Sequence, residues 1–241
     1  MSCWRNLKRR QLSLVAFAFM VLLVALLTAP SSLSYLHSLA TSTSFTDSSS
    51  AAHAITVNGN AQVDSAQSKF GNAAGSFDGT GDYLSTPDSA DWAFGTGDFT
   101  IDFWLRFNVA LGSGKYVNFW TQRTGSSYIV IDLYNNGGTF QWSFKVSSSL
   151  TITKSCPSMG SGTWYHIAVV RSSNSWRIFQ GGTQCGTTDT NSNSVFDLSA
   201  SAVIGTWDGS VSMLDGWLDE YRVSKGVARW SSNFSPPTGA Y

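Results

Sequence analysis

Residues Gly216–Pro237, GWLDEYRVSKGVARWSSNFSPP, are the stretch that decides the fold. Upstream of it, apolar residues recur at every second position along Phe99–Phe107, FTIDFWLRF, which is typical of a strand with one face in an apolar core. The same alternation follows along Ile129–Leu133 and Phe140–Val146, and the NNGG sequence of Asn135–Gly138 predicts a tight turn between them. These patterns indicate antiparallel strands.

Composition agrees with an all-β domain. Only 12% of the residues are charged, 14% are aromatic, and the chain has 22 glycines but five prolines, which suits short strands joined by turns. About 195 residues remain once the amino terminus is set aside, which is enough for one β-sandwich. The net charge is zero and no cluster of Lys or Arg follows Arg10, so the sequence excludes a nucleic-acid partner.

Five segments between about Phe45 and Tyr241 occur in an order that points to one family. They are Ala66–Gly71 (AQSKFG), Phe77–Leu84 (FDGTGDYL), Gly97–Arg106 (GDFTIDFWLR), Gly162–Arg171 with Trp176–Ile178 (GTWYHIAVVR and WRI), and Gly216–Pro237. Together they resemble the laminin G-like branch of the concanavalin A-like lectin/glucanase superfamily, copies of which recur in phage virion and environmental surface proteins. The resemblance implies a jelly-roll sandwich of two antiparallel sheets over residues 51–241.

The amino terminus has the pattern of a membrane segment. Four basic residues within Arg5–Arg10 precede Leu12–Ala29, an uncharged run of eighteen residues. As a helix it would span roughly 27 Å, the thickness of a thin bilayer core. We predict a signal anchor over 12–29. The alternative is a cleaved signal peptide, whose apolar region is usually about 7 to 15 residues, and Pro30 spoils the nearest cleavage site.

Charge predicts the orientation of this segment, because the next basic residue after it is Lys69. Residues 1–11 would then stay cytoplasmic, and everything after Pro30 would be extracellular, periplasmic or lumenal, or secreted if the segment is cleaved. Residues 30–50 are rich in Ser and Thr, without periodicity, and predict a flexible stalk.

Cysteine usage fits export. Cys156 and Cys185 are the only cysteines after the apolar run, and they bracket the hairpin predicted from Trp164 to Phe179. An oxidising compartment would let them form a disulfide, which would stabilise the fold by roughly 3 to 4 kcal/mol. Cys3 lies on the cytoplasmic side, where a free thiol is the simplest prediction and lipidation is conceivable.

Motifs for catalysis are missing. The three histidines are scattered without metal-ligand spacing, and His166 is expected to be a packed strand residue. A retaining glycosidase needs two carboxyl groups about 5 to 5.5 Å apart. Glu220 is the only glutamate, and Asp215 and Asp219 would lie about 13 Å apart on a strand. We predict no enzyme activity, and a structural polar network of Asp219, Glu220 and Arg222.

Calcium is the ion that the resemblance implies, at the rim of the sandwich. Asp78 and Asp82 flank Gly79–Gly81, and Asp208 lies in the loop Gly205–Ser210, so these three aspartates are the candidate ligands. The alternative is turn chemistry, in which Asp side chains bond their own backbone. No other cofactor is expected.

Tryptophans are the candidate sugar platforms. Trp104 lies on the face of its strand opposite the apolar stripe, between Asp102 and Arg106. We expect it to lie outside the main core together with these polar neighbours. Trp120 and Trp207 are expected in loops. The alternative for each is packing, because Trp is highly buried on average. The tryptophans assigned to structure are Trp142, Trp164 and Trp217.

Two functions are consistent with these sequence features. The first is an exported, non-catalytic binding module that attaches to a glycan or an extracellular protein. The second is a structural surface or virion component that packs against its own copies. A glycoside hydrolase is a lesser alternative, opposed by the carboxylate spacing.

Overall fold

Two antiparallel β-sheets contain nearly all the regular structure of residues 41–241, the part of the chain that the computed structural model describes. The strands are β1 Thr41–Ser42, β2 Thr56–Asn58, β3 Gln62–Asp64, β4 Ala74–Asp78, β5 Tyr83–Thr86, β6 Phe99–Phe107, β7 Tyr116–Thr124, β8 Ser127–Asn136, β9 Thr139–Val146, β10 Leu150–Cys156, β11 Trp164–Ser172, β12 Ser175–Gln180, β13 Thr183–Gln184, β14 Asp189–Thr190, β15 Ala202–Ile204 and β16 Asp215–Lys225. One 3-10 turn, Ala90–Trp92, precedes β6. The predicted segments 1–11 and 12–29, and residues 30–40 of the predicted stalk, lie outside the described residues.

The strands form a nine-stranded and a seven-stranded sheet. The nine-stranded sheet has the order β1-β3-β4-β16-β6-β11-β12-β13, with β14 pairing to β12. The seven-stranded sheet has the order β10-β9-β8-β7-β15-β5-β2. Consecutive strands pair as hairpins in both sheets, whereas β16, the last strand, inserts between β4 and β6 and so closes the fold. The predicted all-β sandwich of two antiparallel sheets is confirmed.

The core lies between the inner faces of the two sheets. On β6 every second residue from Phe99 to Phe107 is at most 1% exposed, as the alternation predicted. Phe103 stacks on Phe119 of β7 at 5.1 Å and on Tyr221 of β16 at 5.2 Å between ring centroids. Aromatic rings therefore link the two sheets at the centre of the domain.

Both predicted hairpins are present. Asn136 pairs with Thr139 across Gly137 and Gly138, which adopt φ values of 61° and 98° that an L side chain rarely accepts. The second hairpin joins β11 to β12 through Ser173.

The predicted disulfide between Cys156 and Cys185 is present, with a Cα–Cα distance of 5.1 Å. Cys156 ends β10, the edge strand of the seven-stranded sheet, and Cys185 follows β13, the edge strand of the nine-stranded sheet. The bond therefore ties the two sheets together along one edge of the sandwich.

Residues 41–50 belong to the folded unit rather than to a free stalk. β1 pairs with β3, and the carboxylate of Asp47 accepts hydrogen bonds from the backbone N–H of Ser49 and of His53. The ring of Phe45 lies 2.9 Å from the position that a Cβ on Gly75 would occupy. Residues 41–50 of the predicted stalk therefore contact the folded unit through Phe45 and Asp47, which the Ser/Thr-rich composition did not indicate.

The segment 226–241 covers part of the outer face of the nine-stranded sheet. Trp230 and Phe234 stack on each other with centroids 4.0 Å apart, and Phe234 packs on Phe179 of β12. The backbone N–H of Phe234 donates to the carbonyl of Gly182 at 2.9 Å.

Within residues 41–241 there is no helix with the length and apolar character needed to cross a bilayer.

Candidate functional site

Trp104 lies on the outer face of the nine-stranded sheet, outside the main core, but it is only 6% exposed. The Nζ atom of Lys69 lies 4.1 Å above the indole centroid, and the ring of Phe70 meets it edge-on at 5.8 Å. Asp219 holds this covering loop in place, because its Oδ2 accepts from the backbone N–H of both Lys69 and Phe70. Trp104 is therefore closed to a ligand in this structure.

Asp102 is fully buried in an ion network beneath the carboxyl-terminal segment. Arg222 donates to both of its oxygens, from Nε at 3.1 Å and Nη2 at 2.9 Å. The hydroxyl of Tyr241 donates to Oδ2, and His166 Nε2 lies 3.3 Å from the same oxygen. Burial raises the pKa of Asp102, but the hydrogen bonds from His166, Arg222 and Tyr241 and the charge of Arg222 outweigh it and lower the pKa. Both carboxylate oxygens of Asp102 are thus engaged by protein groups in this structure.

The predicted network of Asp219, Glu220 and Arg222 takes a different form. Each residue bonds a segment that lies across the sheet: Asp219 holds the 69–70 loop, Glu220 accepts from the backbone N–H of Tyr241, and Arg222 pairs with Asp102. A β-bulge between Asp219 and Arg222, with Glu220 at a φ of 51°, directs these side chains differently from a regular strand.

Trp120 was expected in a loop, and this expectation was wrong. It lies in β7, is 1% exposed, and meets the ring of Trp92 edge-on at 5.2 Å within the core. The pairing of β7 with β8 shifts register between Asn118 and Trp120. This bulge breaks the period of two along β7, so the sequence pattern concealed the strand.

Asp78 and Asp82 lie together in the β4–β5 turn, but all four of their carboxylate oxygens accept protein N–H groups. Asp82 accepts from the backbone N–H of Asn60 and of Asp78, and Asp78 accepts from the Thr80 backbone N–H and the Asn60 side chain. Within residues 41–241 no group of three or more His, Cys, Asp or Glu side chains is arranged to hold a metal. These residues fit turn chemistry and do not fit a calcium site, which needs six to eight oxygen ligands.

Two of the predicted residues, Trp207 and Asp208, line an open groove of about 550 Å³ beside the carboxyl-terminal end of β7. The groove combines one half-buried tryptophan and one tyrosine with a cation, a carboxylate and several small polar residues. Its lining residues are Tyr83, Thr121, Arg123, Thr124, Gly125, Ser199, Ala200, Ser201, Val203, Trp207, Asp208 and Gly209.

The charged pair of the groove is built around the indole of Trp207. The guanidinium carbon of Arg123 lies 5.0 Å from the ring centroid, and Arg123 Nη1 is 3.7 Å from Asp208 Oδ2. Tyr128 meets Trp207 edge-on at 5.2 Å from the other strand of the hairpin. The side chains of Arg123 and Asp208 are 39% and 31% exposed, so both remain within reach of a solute.

The loop that carries Trp207 is held by its own hydrogen bonds. Asp208 Oδ1 accepts from the side chain and backbone of Ser210 and from the backbone of Val211. These bonds, led by the one from the Ser210 hydroxyl, keep the pKa of Asp208 below its ordinary range, so the carboxylate is charged at neutral pH. Thr121 of β7 donates to the carbonyl of Thr206 at 3.0 Å and fixes the loop to the sheet. The groove is therefore pre-formed.

A glycine lets the tyrosine of the groove approach the same loop. Gly209 has a φ of 87°, and a Cβ there would lie 3.2 Å from the ring of Tyr83. Tyr83 and Arg123 were missed by sequence reasoning, because they lie on different strands, and neither is near Trp207 along the chain. The β7–β8 pairing places Arg123 opposite Tyr128, and only the folded sheet brings these side chains to Trp207.

Comparison with known proteins places the chain in a family. The family model Laminin_G_3, of the concanavalin A-like lectin/glucanases superfamily, matches residues 78–231. The chain belongs to that superfamily. Among curated proteins none matches the chain significantly.

Solved structures show the same fold at low sequence identity. Domain 4 of AbnA, an extracellular arabinanase of Geobacillus stearothermophilus solved with arabinotriose, has a TM-score of 0.55 and 18% identity, covering 73% of this chain and 84% of that one. The botulinum neurotoxin serotype D binding domain has a TM-score of 0.59 and 10% identity over 80% of this chain. The same toxin domain in complex with N-acetylneuraminic acid has a TM-score of 0.58 and 10% identity over 80% of this chain. The chain spans 46% of each toxin domain, and at these identities the likeness shows the fold alone.

Proposed function

We propose that residues 41–241 form a non-catalytic carbohydrate-binding module that takes a saccharide in the groove at Trp207. The observation that carries the proposal is one half-buried indole in a pre-formed open groove, flanked by Arg123, Asp208 and Tyr83. A sugar ring has an apolar C–H face that packs on an aromatic ring, and its hydroxyls need fixed donors and acceptors. Arg123 supplies donors and the Asp208 carboxylate supplies acceptors beside the aromatic face, which matches these requirements.

The same groove argues against hydrolysis. A glycosidase needs two carboxyl groups across the scissile bond, one of them protonated at the working pH. Asp208 is the single carboxylate among the residues lining the groove, and its pKa is lowered rather than raised. The groove therefore has an arrangement suited to binding without turnover.

The structural neighbours support the choice of ligand class. One of them was solved with arabinotriose and another with N-acetylneuraminic acid, so proteins that contain this fold bind saccharides of different chemistry. As part of the proposal, residues 12–29 anchor the module in a membrane, and residues after Pro30 display it outside the cytoplasm. The disulfide between Cys156 and Cys185 supports an oxidising destination.

The proposal is tested by screening the purified chain on a glycan array and then titrating the strongest ligand by calorimetry. We expect Trp207→Ala to weaken binding at least tenfold, because stacking on the indole is lost while the loop keeps its backbone hydrogen bonds. Trp230→Ala is the matched control, since Trp230 packs on the opposite side of the sandwich. An unchanged affinity in Trp207→Ala, or an array without a ligand together with ordered oligomers in light scattering, would contradict the proposal and favour a structural component.

A further inference from the structure

Two tryptophans and an arginine form a row across the outer face of the nine-stranded sheet, which does not contain β7. Arg106 of β6 lies directly opposite Trp164 of β11 on one side and Trp217 of β16 on the other. Strands are spaced about 4.8 Å apart, so the two tryptophans flank Arg106 at one strand spacing each. All three side chains are half-buried, and they lie beyond the rows that the 69–70 loop and the carboxyl-terminal segment cover.

Two cations on this face have no anionic partner. The guanidinium carbon of Arg106 lies 4.9 Å from the ring centroid of Trp217, and Lys69 lies over Trp104, two residues from Arg106 on the same face of β6. Among residues 41–241 no carboxylate oxygen lies within 4.0 Å of either cation, although Asp215 and Asp219 are on the same face of β16. Asp219 is already engaged by the backbone N–H groups of Lys69, Phe70 and Glu220.

The surroundings of Arg106 leave its hydrogen-bond donors free. No hydrogen bond joins the Arg106 side chain to another described residue, whereas Arg222 on the same face uses its guanidinium on Asp102. Gly162 lies beside it with a φ of 75°, and a Cβ there would be in van der Waals contact with Nη2 at 3.7 Å, so the adjoining loop lines one side of the guanidinium. A guanidinium held over an indole with five free donors matches the planar geometry of a carboxylate.

We propose that Trp164, Arg106 and Trp217, with Lys69 beside them, form a second binding site for an acidic saccharide that bears a carboxylate. Arg106 receives the carboxylate through two parallel N–H bonds, Trp164 packs on the sugar ring, and Lys69 adds a second positive charge. The site differs in chemistry from the groove at Trp207, where the cation is paired with Asp208. The two sites lie on opposite sheets, so one molecule would contact two saccharide chains, or two parts of one chain.

The test compares trigalacturonate with its fully methyl-esterified form, which removes the negative charges and keeps the sugar rings. We expect the wild-type chain to bind trigalacturonate at least tenfold more tightly than the ester, with an affinity that falls as salt is raised. Arg106→Gln is expected to weaken trigalacturonate binding at least tenfold. Arg106→Lys, which keeps the charge without the planar fork, should recover only part of it, and Lys69→Gln should weaken binding about threefold.

Controls separate this site from the proposed groove. Arg123→Gln and Trp207→Ala should leave trigalacturonate binding unchanged, while Arg106→Gln should leave the glycan ligand of the groove unchanged. Thermal unfolding shows that each variant is folded, and Lys69→Gln tests the site through a loop residue if Arg106→Gln does not fold. Equal binding of acid and ester, no binding of trigalacturonate to the wild type, or loss of its binding only in the Trp207 variant would overturn the proposal.

Discussion

At the scale of single residues, two buried aspartates on opposite sheets have pKa values shifted in opposite directions. Asp102 receives donors from Arg222, Tyr241 and His166, and their combined effect lowers its pKa. Asp132 on β8 is 5% exposed and pairs with Lys145 at 2.7 Å, but its Oδ1 has no partner among the described residues. Burial therefore dominates and raises the pKa of Asp132, although Lys145 and Ser143 offset part of the effect. Folding stabilises the charge of Asp102 and disfavours that of Asp132.

The first stability prediction follows from this contrast. Asp102→Asn should lower the free energy of unfolding at pH 7 by about 3 kcal/mol, because Arg222 loses its counter-charge. Asp132→Asn should change it by less than about 1 kcal/mol, because the neutral amide removes a buried charge and Lys145 is partly exposed to water. Urea unfolding of both variants at pH 7 measures the difference. An equal loss of unfolding free energy in both variants would contradict the difference between Asp102 and Asp132 that their pKa shifts imply.

The pH dependence has opposite signs at the two residues. The lowered pKa of Asp102 gives stability that is present above about pH 4, the ordinary range of the group, and is lost as the pH falls through the lower folded value. The raised pKa of Asp132 makes the protein relatively more stable as the pH falls through its folded value towards about 4. In acid titrations Asp102→Asn should therefore show a smaller loss of stability below about pH 4 than the wild type.

At the scale of elements, local periodicity explains which strands were predictable. β6, β8, β9 and β11 follow the alternation of their sequences, since each has one face in the core. β7 did not, because its bulge shifts the pattern at Trp120. The docking of the segment 226–241 on the outer face was not predicted for another reason. Its rings pack on outward residues of β11 and β12, and alternation says nothing about what covers an outer face. The groove needs three separate parts of the chain, so only Trp207 and Asp208 were found.

Docking of the carboxyl-terminal segment gives the second stability prediction. Gly182 has a φ of 76°, and a Cβ there would lie 2.0 Å from the carbonyl oxygen of Phe234. Gly182→Ala should therefore displace the segment, whereas Gly181→Ala, at a φ of 61° with nothing within 4 Å, should add only backbone strain of about 1 kcal/mol. Trypsin should cut the first variant faster after Lys225 and Arg229. The same cutting rate in both variants would show that the segment does not depend on this close approach.

At the scale of the whole molecule, the two proposed saccharide sites lie on different sheets, and their relative position depends on how the sheets are joined. Aromatic packing joins them at the centre, around Phe103, and the disulfide joins them along the β10 and β13 edges. The central contacts contain most of the buried apolar side chains, so we expect the sandwich to fold without the disulfide. The disulfide adds stability by restricting the unfolded chain, so the two sites should remain intact when it is removed.

Removing the disulfide separates its contribution to stability from that of the aromatic core. Cys156→Ser combined with Cys185→Ser should lower the free energy of unfolding by roughly 3 to 4 kcal/mol, because a loop with a sequence separation of 29 residues is no longer closed in the unfolded state. Near-ultraviolet circular dichroism, which reports the packed aromatic rings, should stay unchanged at 25 °C, as should ligand affinity in the Trp207 groove. Wild-type protein unfolded in reducing agent is the matched control and should lose the same free energy. A loss of near-ultraviolet signal before urea is added would instead mean that the edge bond holds the two sheets in register, and that the core alone does not.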